Sequence, residues 1–123
     1  MSAEANILAR SAEIMNVDRI GALEENDRTS LIAVDGKRMI KYLDGSEKMM
    51  MSVMLQGKDA DQQALMSDMS VMISQLCRNS RSIKGENYSV QSVRLRTAPV
   101  PVLKSPLMWF YKAIFEIVYI KKE

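Results

Sequence analysis

The dipeptide Asp44-Gly45 lies within IKYLDGSEKMMMSVMLQ, residues 40–56, with a strand-like run on each side and a helical pattern close behind. Asp-Gly supplies the positive φ angles of tight hairpin turns, so the two runs are expected to pair antiparallel. This restricts the chain to folds in which a sheet meander hands over to a helix packed against it.

The rest of the chain extends that unit. Residues 3–15 place Leu8, Ala12 and Met15 at i, i+4 and i+7, with Ile7 and Ile14 widening the stripe and Ser2 positioned to cap an amphipathic helix. Runs at 29–34 and 39–43 are β-prone, and Asp35-Gly36 between them predicts a second tight turn. In the next run Met49, Met51, Val53 and Leu55 share one strand face, while Lys48 and Ser52 point away and Met50 and Met54 lie on the opposite side. Asp59 with Gln62 three positions on predicts a helix start, and Leu65, Met69, Met72, Ile73 and Leu76 then form one stripe.

Beyond a polar loop at 79–87, Val93 and Leu95 alternate with Arg94 and Arg96, and the prolines of Ala98-Pro99-Val100-Pro101 are expected to end that strand. A last strand over 109–121 puts Trp109, Tyr111, Ala113, Phe115, Ile117 and Tyr119 on one face. Its other face, with Ile114, Val118 and Ile120, is too apolar for free solvent. At about 3.3 Å per residue such a strand spans roughly 40 Å, long enough to bend or project beyond the sheet. The expected fold is a single α+β domain over residues 1–123, of order α-β-β-β-α-β-β, with helices packed on a largely antiparallel sheet.

Composition narrows the chemistry. Histidine is absent, which removes the commonest general base and metal ligand and with it Ser-His-Asp and Cys-His catalysis. Cys77 is the only cysteine, at the end of the second helix, where the helix dipole opposes a thiolate, and it reads as a buried or half-buried structural residue. No GxxxxGK[ST], GxGxxG or GxSxG motif occurs, and Asp59 with Asp61 lacks the spaced ligands of a calcium loop. The expectation is no catalytic residue, no cofactor and no metal.

No apolar stretch approaches the roughly 20 residues that cross a bilayer, and the N-terminus lacks a basic region ahead of an apolar one, so neither a membrane span nor secretion is expected. The net charge is +2. Arg78, Arg81, Lys84, Arg94 and Arg96 load the second half with cations, but no aromatic residues interleave with them, and sequence-specific nucleic-acid binding is not expected. Of the eleven methionines, Met50 and Met54 lie off the expected core face and suit an adaptable interface.

The segment VDRIGALEEN at 17–26, MIKYLDGS at 39–46, QGKDADQQ at 56–63, the helix that follows and the terminal FEIVYIKK together resemble the tail terminator family of long-tailed phages, which includes minor capsid proteins of that group. The stretch APVPVLKSPL at 98–107, which holds all three prolines, departs from the family's glycine-bearing hairpin loop. The resemblance implies a structural virion protein, made in the bacterial host cytoplasm and placed at the tail end, at the head-tail junction. It implies a homo-oligomer, a hexameric ring that caps the tail tube, stops its growth and offers a surface to head-tail connector proteins. Another joining or neck protein, or a non-viral interaction module, is the alternative. A ring needs two different surfaces on each subunit, and the interface candidates are Met50, Met54, Ile114, Val118 and Ile120.

Overall fold

The computed structural model describes residues 2–122. Helix α1 (Ala3–Met15) leads to a short strand β1 (Arg19–Ile20), long strands β2 (Thr29–Lys41) and β3 (Glu47–Asp59), helix α2 (Gln62–Asn79), a 3-10 turn (Ser80–Ser82) and long strands β4 (Tyr88–Lys104) and β5 (Trp109–Lys121). The strands form one sheet in the order β1-β2-β3-β5-β4, antiparallel except where β1 meets β2. The α-β-β-β-α-β-β order and the α+β class are therefore as expected, and both helices pack on one face of the sheet.

Local chemistry explains the helices. Ser2 Oγ accepts a 3.1 Å hydrogen bond from the Ala5 amide, and α1 stops where Asn16 turns left-handed at φ 59. It buries Ile7, Ser11, Ala12 and Met15, and the Ser11 hydroxyl is satisfied by donating to the Ile7 carbonyl at 2.7 Å. The cap of α2 is Asp61, whose Oδ1 accepts from the Ala64 amide at 3.2 Å, and not Asp59. Asp59 instead accepts from the Asp61 amide and from Arg28. Leu65, Met69, Ile73 and Leu76 are buried on the sheet, with Met72 at the margin.

Three strand expectations are corrected. Asp35-Gly36 makes no turn: β2 runs through it, with irregular register near Ala33 and Arg38 absorbing the mismatch, and the two predicted strands are one. The third strand ahead of α2 is instead β1, two residues inside the VDRI segment that pair parallel with β2 at the sheet edge. The prolines do not end β4, because β4 is the edge strand, where missing amide donors are tolerated, and register shifts accompany them. Nor does β5 project alone. It is paired over its whole length with β3 on one side and with β4 on the other.

Asp44-Gly45 does turn the chain: Gly45 has φ 92, its amide donates to the Tyr42 carbonyl at 3.1 Å, and Ser46 is held by Asp44. The core joins Met51, Val53 and Leu55 of β3 to Ala113, Phe115 and Ile117 of β5 beneath the helices.

Candidate interaction surface

Antiparallel pairing fixes which side chains share the sheet face that no helix covers. Met50 lies opposite Val118, Met54 opposite Ile114, and Lys48 opposite Ile120. On β2 the neighbours are Lys37 beside Met50, Asp35 beside Ser52, Ile32 beside Met54 and Ile40 beside Lys48. All five interface candidates therefore lie on one face, on the adjacent strands β3 and β5. They differ in availability: Met50 is 8% exposed and Val118 5%, so their own chain already covers them, whereas Met54, Ile114 and Ile120 are half-buried.

A polar band crosses the middle of this face. Ser52 pairs with Asp35 on one side and Glu116 on the other, and Arg94 Nη2 reaches Glu116 Oε1 at 3.4 Å. A cavity of about 380 Å³ opens above it, lined by Asp35, Lys37, Met50, Ser52, Arg96 and Glu116. Ser52, read from the sequence as pointing away from the core, does so yet is buried, and its Oγ has no hydrogen-bond partner among the described residues.

Toward the Trp109 end of the sheet the surface becomes apolar. Leu23, Met54, Val102, Leu103, Phe110 and Lys112 line a cavity of about 370 Å³. Sequence reasoning named only Met54 of this group as an interface candidate, because β-pairing and a long loop bring the others together. The one local signal was Leu23, an apolar residue at the head of the acidic run Glu24-Glu25.

Ionic contacts fix the loop that carries Leu23. Asp27 Oδ2 accepts from Arg19 Nε at 2.5 Å and from the Glu24 amide at 3.1 Å, and Lys58 Nζ donates to the Glu24 and Glu25 carbonyls at 2.5 and 2.8 Å. The Arg19 guanidinium holds the Asp27 carboxyl below its ordinary value despite partial desolvation. Arg28 binds Asp59 at 2.8 Å and Asp68 at 2.7 Å, joining the same loop to β3 and α2.

At the opposite end stands the β2–β3 hairpin, where β2 is exposed from Ala33 to Lys41 and Leu43 at the tip is fully exposed. The exposed apolar side chains Met39, Ile40 and Tyr42 accompany it.

Cys77 is exposed, not buried or half-buried as read from the sequence, its sulfur lies 3.7 Å from the Val93 carbonyl, and desolvation around it raises the thiol above its usual value. Among the described residues no group of three or more His, Cys, Asp or Glu is arranged to hold a metal ion. Among the described residues no helix is long and apolar enough to cross a membrane.

The sequence matches no protein-family model and no curated protein. Among solved structures, a chain from the virion of a native gene transfer agent particle superposes with a TM-score of 0.55, covering 96% of this chain and 91% of that one at 8% sequence identity. The two chains share a fold. With so little identity, the likeness is one of backbone architecture, and it extends over nearly the full length of both chains.

Proposed function

We propose that this chain is a non-enzymatic structural virion protein that forms a ring on the end of a phage tail tube, stops its growth and presents a surface for head joining. The observation that carries the reading is a sheet with helices on one face only, whose open face holds Met54, Ile114 and Ile120 half-covered. Such a face suits burial by a protein partner. The fold shared with a chain of a virion particle supports the same reading, as does the resemblance of segments 17–26, 39–46 and 56–63 to tail terminators.

Its partners in this reading are copies of itself, the tube protein and connector proteins. A neck protein of the same architecture is the neighbouring alternative, since proteins of one fold at this junction differ in what they touch.

The test is light-scattering mass over a concentration series, with the same samples viewed by negative-stain microscopy. Six-subunit rings with an open centre support the proposal; a chain that stays monomeric alone and with tail tubes added removes it. Met54→Asp and Ile120→Asp report on the interface, and both are expected to prevent assembly. Val118→Asp is a poor probe because Val118 is buried within its own chain.

A further inference from the structure

We propose that the hairpin tip carrying Leu43 is the contact by which one copy grips the next, with Leu43 seated in the apolar cavity formed by Leu23, Met54, Val102, Leu103 and Phe110. This contact rests on the ring reading and specifies its two surfaces. Leu43 is fully exposed at a rigid turn, where Asp44 accepts from the Ser46 amide at 2.9 Å and from its hydroxyl at 2.6 Å. The tip is thus an ordered apolar knob on a polar turn. The cavity is an apolar hole of about 370 Å³, and its loop wall is fixed by Arg19 and Lys58.

Charge selects a second copy as the occupant. The β2 arm behind Leu43 carries Lys37 and Lys41, with Arg38 3.9 Å from Glu47 of its own chain, and the loop that supplies Leu23 carries Glu25, with Glu24 paired to Arg19 at 3.1 Å. Within the cavity lining the one charged residue is Lys112, which makes no ion pair among the described residues, and Asp44 stands next to Leu43. The Asp44 carboxyl is held below its ordinary value by the hydrogen bond from Ser46, so it is anionic at neutral pH. In the proposed contact Asp44 meets Lys112 at the cavity, and Lys37 and Lys41 approach Glu25 at its rim.

The placement also fits. Strand pairing puts the Leu43 tip beyond the Glu47/Lys121 end of the sheet and the cavity toward the Asp59/Trp109 end. Two different surfaces at opposite ends of one chain make a heterologous, head-to-tail contact, the kind that closes into a ring when the rotation permits.

Leu43→Cys and Leu103→Cys, each in a Cys77→Ser background, are mixed, oxidised and separated without reductant. The expected product is the mixed 43–103 disulfide, in several-fold excess over either like pair. A yield no higher than that of Leu43→Cys with Val71→Cys, on the helix side, overturns the contact. In parallel, Leu43→Asp alters a side chain that is fully exposed in its own chain, so the variant folds; its self-association is expected to weaken by about tenfold or more, and unchanged association overturns the proposal. Rings lacking the 43–103 link sink this contact and leave the ring reading standing. The link in dimers or open filaments supports the contact and removes the ring reading. A wild-type chain that is monomeric at every concentration overturns the contact.

Discussion

The Tyr119 hydroxyl donates a 2.7 Å hydrogen bond to Glu4 Oε2, joining the end of β5 to the first turn of α1 across most of the chain's length. Lys121 adds an ion pair to the same carboxylate at 3.2 Å. Burial alone raises the Glu4 carboxyl, but these two partners together outweigh it and hold its pKa below the ordinary value, while desolvation and the Glu4 charge raise the Tyr119 phenol.

A carboxylate with a lowered folded pKa contributes stability above its unfolded pKa, and that contribution is lost as pH falls through the folded value. The gap in stability between wild type and Glu4→Gln is therefore expected to be widest near neutral pH and to close below about pH 4. Urea midpoints across the acid range measure it, and a gap that grows on acidification contradicts the assignment.

Gly57 lets α2 approach β3. A Cβ there would stand 2.8 Å from Leu65 Cδ1 and 3.0 Å from Met69 Sδ, so one or both of these wholly buried side chains must shift. Gly57→Ala is expected to cost about 1–3 kcal/mol through overpacking. Chemical denaturation checks this.

Ser52 Oγ is buried on the open sheet face without a partner among the described residues. An unsatisfied buried hydroxyl costs free energy, so Ser52→Ala is expected to stabilise the chain by about 1 kcal/mol, read as a higher denaturation midpoint at constant m-value. A loss of stability instead would mean that the hydroxyl is satisfied in solution.

Arg28 joins the loop before β2 to Asp59 and Asp68. It is partly exposed, so its ion pairs are screened, and Arg28→Ala is expected to cost about 1 kcal/mol at low ionic strength and less at high salt. The salt dependence is the diagnostic: a cost independent of salt assigns Arg28 a packing role.

How far the sequence could be read depended on the range over which each signal acts. The stripe Leu65, Met69, Ile73 and Leu76 and the alternation of β5 both follow from a side-chain period along one element, and the buried residues fall on those positions. Asp35-Gly36 misled because a dipeptide that favours a turn does not force one: β3 offers pairing partners through Asp35 and Gly36, and a register irregularity costs less than breaking the ladder. Pro99 and Pro101 misled for a related reason, since their effect depends on whether β4 is central or an edge, which is a property of the whole sheet.

The sequence by itself determined both helices, the strands β3, β4 and β5, the core faces of α1, α2, β3 and β5 and the Asp44-Gly45 hairpin, because propensity, turn chemistry and periodicity are local. Only the tertiary structure decided that β5 inserts between β3 and β4, that Met50 and Val118 cover one another while Met54 stays partly open, and that Leu23, Leu103 and Phe110 meet in one cavity. Those outcomes depend on pairing between segments distant in the chain, which is settled by the free energy of the assembled sheet and not by any stretch within it.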